Sequence, residues 1–253
     1  MKFTDFYKSL EELCPSEKSA AWDNDGAMLN PLGKDTVSRV LVALDPTEKA
    51  IKDAAENGFD TLLTHHPMIF KGLKSLTGAD TVSSRVLTAL AGGITIVSLH
   101  TRLDAARGGV NDVLLSLCGA EYSRDFGDAE SPDIGRIGTL TEECDAREFA
   151  LRVKTALGCG SVRVYGEGKV KTVAVLGGSG KDLISSAAKA GADVFVTGES
   201  GYNAAEAAAE GGLCIIEAGH YHTEVPVCRV LADHVRGLGI EAEIFEYSPY
   251  ADL

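Results

Sequence analysis

The chain has 253 residues, 45% of them apolar, which is enough for an ordinary buried core and gives room for one or two domains. Its formal charge of −13 argues against a nucleic-acid or anionic-membrane binder, either of which would carry a basic face. No stretch approaches the ~18 consecutive apolar residues of a membrane span. Residues 1–10 are too charged for a signal peptide, so a cytoplasmic location is expected.

Six dispersed cysteines with no C-x-x-C pair read as buried free thiols, not as disulfides or a zinc motif.

In chain order, the first clear element is the apolar run 40–44. A helix follows, with Asp45 or Thr47 as its cap, an acidic first turn and Gly58 beyond its end. A short second strand over 60–63 runs into Thr64-His65-His66-Pro67. A third, over 94–99, runs into His100-Thr101-Arg102-Leu103-Asp104. Residues 122–132, acidic and bearing Gly and Pro, read as a link. Residues 145–157 form an amphipathic helix with Phe149, Ala150, Val153 and Leu157 on one face and Gly158 at its end.

The pattern then returns. A shift of 133 positions carries Val40, Ile51, Gly58, Asp60 and Thr64 onto Val173, Ile184, Gly191, Asp193 and Thr197. A shift of 119 carries residues 92–97 onto 211–216. Constant offsets through so many matched classes indicate an internal duplication. Strands alternating with helices indicate α/β units with mainly parallel pairing. The expected domains are residues 1–125 with about 225–253, and residues 126–224. A last helix (225–236) and strand (241–247) have no counterpart in the first copy.

Five of the six histidines fall in three windows just after strands: His65-His66, His100, and His220-Tyr221-His222. Strand ends are where α/β folds bind ligands, and imidazole with carboxylate is the composition of a metal site. Neighbouring residues of an extended segment point to opposite faces, so His65 and His66 would each serve a different one of two ions. Asp104 and Glu224, four residues after His100 and His220, are the candidate carboxylates. Such an N/O set suits zinc, iron, manganese or nickel, and two ions with open positions could activate water. His100 could be a ligand, an orienting group or a proton shuttle. His222 reads as packing or solvent-facing, and His234 as surface.

Other motifs carry less. Gly177-Gly178-Ser179-Gly180-Lys181 lacks P-loop spacing and reads as a tight turn. Trp22-Asp23-Asn24 reads as core filling and capping. Lys71, Lys74, Arg102 and Arg107 read singly as solvated loop charge, although a few local cations would suffice for a phosphate-bearing substrate.

Ala21-Trp22-Asp23-Asn24, Thr64-His65-His66-Pro67 through Phe70, His100-Thr101 with Asp104, Thr197-Gly198-Glu199, and Gly219-His220 with Thr223-Glu224 span the chain in order. In these motifs it resembles the GTP cyclohydrolase type 2 homologues, a group of dinuclear-metal, Nif-three-like α/β proteins. The resemblance implies two interlocked, similarly built α/β domains and a toroidal homohexamer. It implies that His66 and Asp104 bind one divalent ion, that His65 and His220 bind the other, and that Glu224 bridges them. His100 would then lie beside the metals without ligating them, and it is the candidate catalytic residue, as a proton shuttle. Arg102 replaces an expected small amide and Asn203 an expected His. The function expected is a metal-dependent hydrolase of a small, nucleotide-like substrate, with a non-catalytic metal-binding or regulatory assembly protein as the alternative.

Overall fold

A computed structural model describes residues 1–31 and 34–251. Its strands, in chain order, begin with β1 (Gly26–Leu29), β2 (Arg39–Ala43), β3 (Thr61–Thr64) and β4 (Thr95–Ser98). Next come β5 (Ala120–Phe126), β6 (Gly135–Asp145), β7 (Arg163–Tyr165) and β8 (Lys169–Ser179). The last are β9 (Val194–Glu199), β10 (Cys214–Glu217) and β11 (Glu241–Ile244). They form two sheets, in a chain that divides into two compact units.

The first unit is Met1–Ala106 with Val227–Tyr247, and its sheet runs β1-β4-β3-β2-β11. β2, β3, β4 and β11 pair in parallel, while β1 lies antiparallel on β4. Parallel strands are buried on both faces and so read as continuous apolar runs. In β2, Leu41 and Ala43 join the core under the helices Glu48–Glu56 and Thr81–Gly92, and Val40 and Val42 are buried as well. The final helix, Val227–Gly237, packs on β2. The segment without a counterpart in the first repeat thus completes the first sheet. Its strand is shorter than expected and ends at Ile244.

The second unit is Arg107–Pro226 with Ser248–Leu253, and its sheet runs β5-β6-β8-β9-β10-β7. Val173, Val175, Val194 and Val196 pack with Phe149 and Val153. Ala174, Leu176, Phe195 and Ile215 join a separate apolar cluster. The alternation follows from the period-two geometry of strands with both faces covered. The helix Ala146–Leu157 is capped by Asp145, whose side chain accepts from Arg147 N, and ends at Gly158 in the left-handed conformation.

The duplication is visible in the pairing register. Val40 faces Thr61 and Val173 faces Val194, so both partners move by 133 positions. Thr95 faces Thr61 and Cys214 faces Val194, the shift of 119 for the third strand. Each three-stranded parallel core also takes an antiparallel strand on its third strand, β1 in one unit and β7 in the other. Outside that core the copies diverge. β2 accepts β11 in parallel, whereas β8 accepts β6 antiparallel.

The boundary differs from the one read in the sequence. Residues 107–125 fall in the second unit because β5 pairs with β6. The first part of the expected link over 122–132 is therefore strand, up to Phe126, and its Gly and Pro serve the β5–β6 connection. All six cysteines are buried free thiols, and among the described residues no helix is long and apolar enough to cross a membrane.

Candidate metal centre

β3 ends at Thr64, so His65 and His66 lie just beyond the strand, where the alternation of the pleat no longer applies. Their backbone amides still bond back to β2 and its continuation, His65 to Ala43 O and His66 to Leu44 O. The rings sit side by side, with centroids 5.0 Å apart and tilted 45°. The expectation that they point to opposite faces is corrected here. His65, His66 and His100 each offer a ring nitrogen, and these atoms all lie within 4.8 Å of one another.

What orients the rings is consistent across the three. His65 Nδ1 bonds to Leu99 O at 2.9 Å, His66 Nδ1 to Asp45 Oδ1 at 2.8 Å, and His100 Nδ1 to Asp23 Oδ1 at 2.8 Å. A carbonyl or an ionised carboxylate can only accept, so each Nδ1 carries the proton and Nε2 is left as the atom with which each ring could ligate a metal. Imidazoles that ligate metals are usually held in this way. Asp104 stands in the short helix Thr101–Ala105, its Oδ1 3.7 Å from His65 Nε2. Neutral imidazoles with a nearby carboxylate are a donor set that fits a divalent transition metal.

The carboxylates behind the histidines were only partly legible. Asp45 was a candidate helix cap, but Thr47 takes that role by accepting from Ala50 N at 3.1 Å. Asp23 accepts from Thr101 N and Thr101 Oγ1 as well as from His100. Its burial works to raise the pKa, but these hydrogen bonds outweigh it and hold the carboxyl well below the usual range. Trp22 does not fill the core. It is exposed, and its ring meets Phe70 and His100.

Arg102 is corrected too: its side chain is fully buried. It pairs with Glu11 at 2.5 Å and with Asp25 at 3.4 Å. Burial raises the Asp25 pKa while Arg102 and Ser19 oppose the rise. Asp25 Oδ2 in turn accepts from His100 N at 3.4 Å. His234 is half-buried instead of lying on the surface, and its Nε2 lies 3.3 Å from Ser9 Oγ.

In the second unit, β10 leads into the helix His220–Glu224, entered through Gly219 at φ +84°. His220 Nε2 lies 3.1 Å from Glu224 Oε2, and its Nδ1 lies 3.5 Å from Glu199 Oε1. The glycine-rich stretch is the end of β8 and forms the bed of this pair. Gly178 sits at φ +67°, where a Cβ would run into the Glu224 carboxylate. Its N–H donates to Thr223 Oγ1 at 3.1 Å. Gly198, the counterpart of His65 under the 133 shift, has no room for a side chain against Gly178 O and the His220 backbone. His222 packs against Tyr221 and Tyr250, as the packing reading expected.

The comparisons with known proteins fall in with this arrangement. A family model described as Duf34/NIF3 (NGG1p interacting factor 3) matches residues 1–249. The chain belongs to the DUF34/NIF3 family. A relative from Clostridium perfringens, named GTP cyclohydrolase 1 type 2 homolog, is 32% identical over 93% of this chain and 92% of its own length. A Schizosaccharomyces pombe relative named Protein NIF3 homolog is 30% identical over 97% of this chain and 94% of its own. Among solved structures, the Staphylococcus aureus hypothetical protein SA1388 aligns with a TM-score of 0.88 at 27% identity, covering 100% of this chain and 99% of that one. The mixed α/β architecture of this chain is therefore shared along its whole length with that structure.

Proposed function

We propose that this NIF3-family protein is a metal-dependent hydrolase of a small substrate. In this reading His65, His66 and Asp104 of the first unit and His220 and Glu224 of the second hold two divalent ions. The observation that supports it most is the set of Nδ1 hydrogen bonds to Leu99 O, Asp45 and Asp23, which leaves Nε2 of three histidines available within one small volume. Divalent zinc, iron, manganese or nickel held there would supply Lewis acidity and an activated water. The division of ligands between the two ions, and a homohexameric ring as the working assembly, come from the family resemblance.

His100 is assigned the proton-handling role. Asp23, kept ionised by His100 and Thr101, fixes the His100 tautomer and stabilises the imidazolium that forms when Nε2 takes a proton. The substrate class is a small, nucleotide-like molecule. Ring opening of GTP would be one such hydrolysis and phosphoester cleavage another.

The test combines metal analysis of the purified protein with turnover of a panel of nucleotides, phosphoesters and cyclic amides. Bound transition metal lost in Glu224→Ala, together with turnover abolished in His66→Ala, supports the reading. Metal uptake unchanged by Glu224→Ala overturns the ligand set. Metal without turnover above the His66→Ala control favours a non-catalytic metal-binding protein. Light scattering of the purified protein tests the hexamer.

A further inference from the structure

Within the first unit, a cavity of about 550 Å³ opens beside Phe70 and is lined by Lys71, Lys74, Asp80 and Arg85. Its volume falls within the roughly 300–1,000 Å³ of small-molecule sites. Several cations of this acidic chain are matched by carboxylates, as Arg39 is by Glu241, Arg136 by Asp112 and Arg163 by Glu217. Among the described residues Lys71, Lys74 and Arg85 have no such ion pair, and Arg85 Nε is buried without a hydrogen-bond partner. The one carboxylate of the lining, Asp80, is already committed. It caps the helix Thr81–Gly92 by accepting from Ser83 N at 2.9 Å, and it also accepts from Ser83 Oγ at 2.8 Å. Three cations around one concavity, none of them in an ion pair and only Arg85 near enough to a carboxylate outside the lining, Glu48, to lower its pKa, make a site for an oxyanion.

Phe70 links this cavity to the histidines. Its ring lies 6.4 Å from that of His100 and 6.2 Å from that of Trp22. Trp22 is 53% exposed and Phe70 45% exposed, an unusual state for the largest aromatic side chains. Asn24 Nδ2 donates to Ile69 O at 2.5 Å and so ties the two loops together. Exposed aromatic faces held in fixed positions are platforms on which flat heterocycles stack.

We propose that Trp22 and Phe70 receive the planar ring of a phosphorylated heteroaromatic substrate while Lys71, Lys74 and Arg85 take its phosphate. The ring would then lie against His100, and the charged end would be held away from it in the cavity. Only a ligand with both parts uses both features, so a nucleotide fits better than a free nucleobase or an inorganic phosphate. This assignment deepens the hydrolase reading by naming the residues that would hold the two ends of its substrate, and it rests on that reading for the chemistry but not for the binding.

Trp22 is the only tryptophan in the chain, so its emission reports on the platform directly. The full chain, stripped of metal with a chelator, would be titrated with GTP, guanosine and tripolyphosphate, by fluorescence and by calorimetry. The expected result is a saturable change in Trp22 emission with GTP. Guanosine and tripolyphosphate should each bind at least about tenfold more weakly. Lys71→Glu combined with Lys74→Glu should weaken GTP by at least about tenfold and leave guanosine unchanged, whereas Phe70→Ala should weaken both nucleoside ligands. The proposal is overturned if GTP gives no saturable change, if the double charge reversal leaves GTP affinity intact, or if the signal follows protein concentration instead, as self-association through the aromatic face would. Because the titration is done without metal, its failure leaves the metal reading standing. An absence of metal in the purified protein, with GTP still bound, removes the metal reading alone.

Discussion

Asp45 Oδ1 and His66 Nδ1 lie 2.8 Å apart, and this contact sets the direction of His66 from the end of the neighbouring strand. Asp45 follows β2 and His66 follows β3, so the parallel pairing of Ala43 with Thr64 brings the two residues together. Two residues after Asp45, Thr47 caps the helix. One turn therefore carries both a folding device and a functional one, on different side chains.

Substitution should separate them. Asp45→Ala frees the His66 ring to rotate and to change tautomer, and metal affinity measured by chelator competition should fall by about 10–100-fold. Thr47→Ala removes the cap and should lower unfolding free energy by about 1 kcal/mol with metal affinity unchanged. If Asp45→Ala retains full affinity, the orienting role assigned to it is wrong.

Gly178 offers a second separation. At φ +67° any side chain is strained, and here a Cβ also meets the Glu224 carboxylate. Gly191 has a similar φ of +75° with nothing near its missing Cβ. Both substitutions to Ala should cost about 1–2 kcal/mol through the backbone. Only Gly178→Ala should also displace Glu224 and lower metal content, as Glu224→Ala would. Equal metal content in the two variants would mean that Glu224 does not depend on the Gly178 bed.

The repeat made most of the fold legible, because parallel strands buried on both faces leave long apolar runs and a constant offset fixes their order. The histidine windows were legible for the same reason, since each closes a strand. Two things were not. The pleat argument for His65-His66 failed because it extended strand geometry past Thr64, where β3 ends. The partners of the histidines were hidden because Asp23 and Asp45 lie 77 and 21 positions away from them in the chain. Short-range patterns could only read those carboxylates as caps. Duplication also misleads locally. The counterpart of Asp45 is Gly178 and that of His66 is Glu199, so a shared scaffold carries different chemistry in each copy.

Arg102 tests whether a residue that read as loop charge supports the fold. Its guanidinium is buried between Glu11 and Asp25, and truncating one member of such a group leaves another charge uncompensated. Arg102→Met should destabilise the metal-free protein by about 3 kcal/mol near pH 7 in urea unfolding. Asp25 already has a raised pKa, from burial first, and loss of Arg102 raises it further. The sign follows. Protonated Asp25 no longer needs Arg102, so the deficit relative to wild type should shrink as the pH is lowered. A deficit that stays constant with pH would mean that packing, not charge, is what Arg102 contributes.

His234 gives a pH effect of a different kind in the same unit. Burial lowers its pKa from the ordinary 6.5, and Glu12 opposes this only in part. The unfolded chain therefore binds the proton at a higher pH than the folded one does. Stability carried by the neutral imidazole is complete above about pH 6.5 and is lost as the pH falls toward the lower folded-state value. His234→Gln keeps a polar group beside Ser9 but cannot titrate. Urea unfolding of metal-free protein at pH 8 and at about pH 5.5 should show the wild type losing ground to His234→Gln on acidification. The comparison with the variant is essential because the contributions of all other groups are common to both proteins and cancel. A wild-type-to-variant difference that is the same at both pH values would show that His234 takes its proton equally in the folded and unfolded chain.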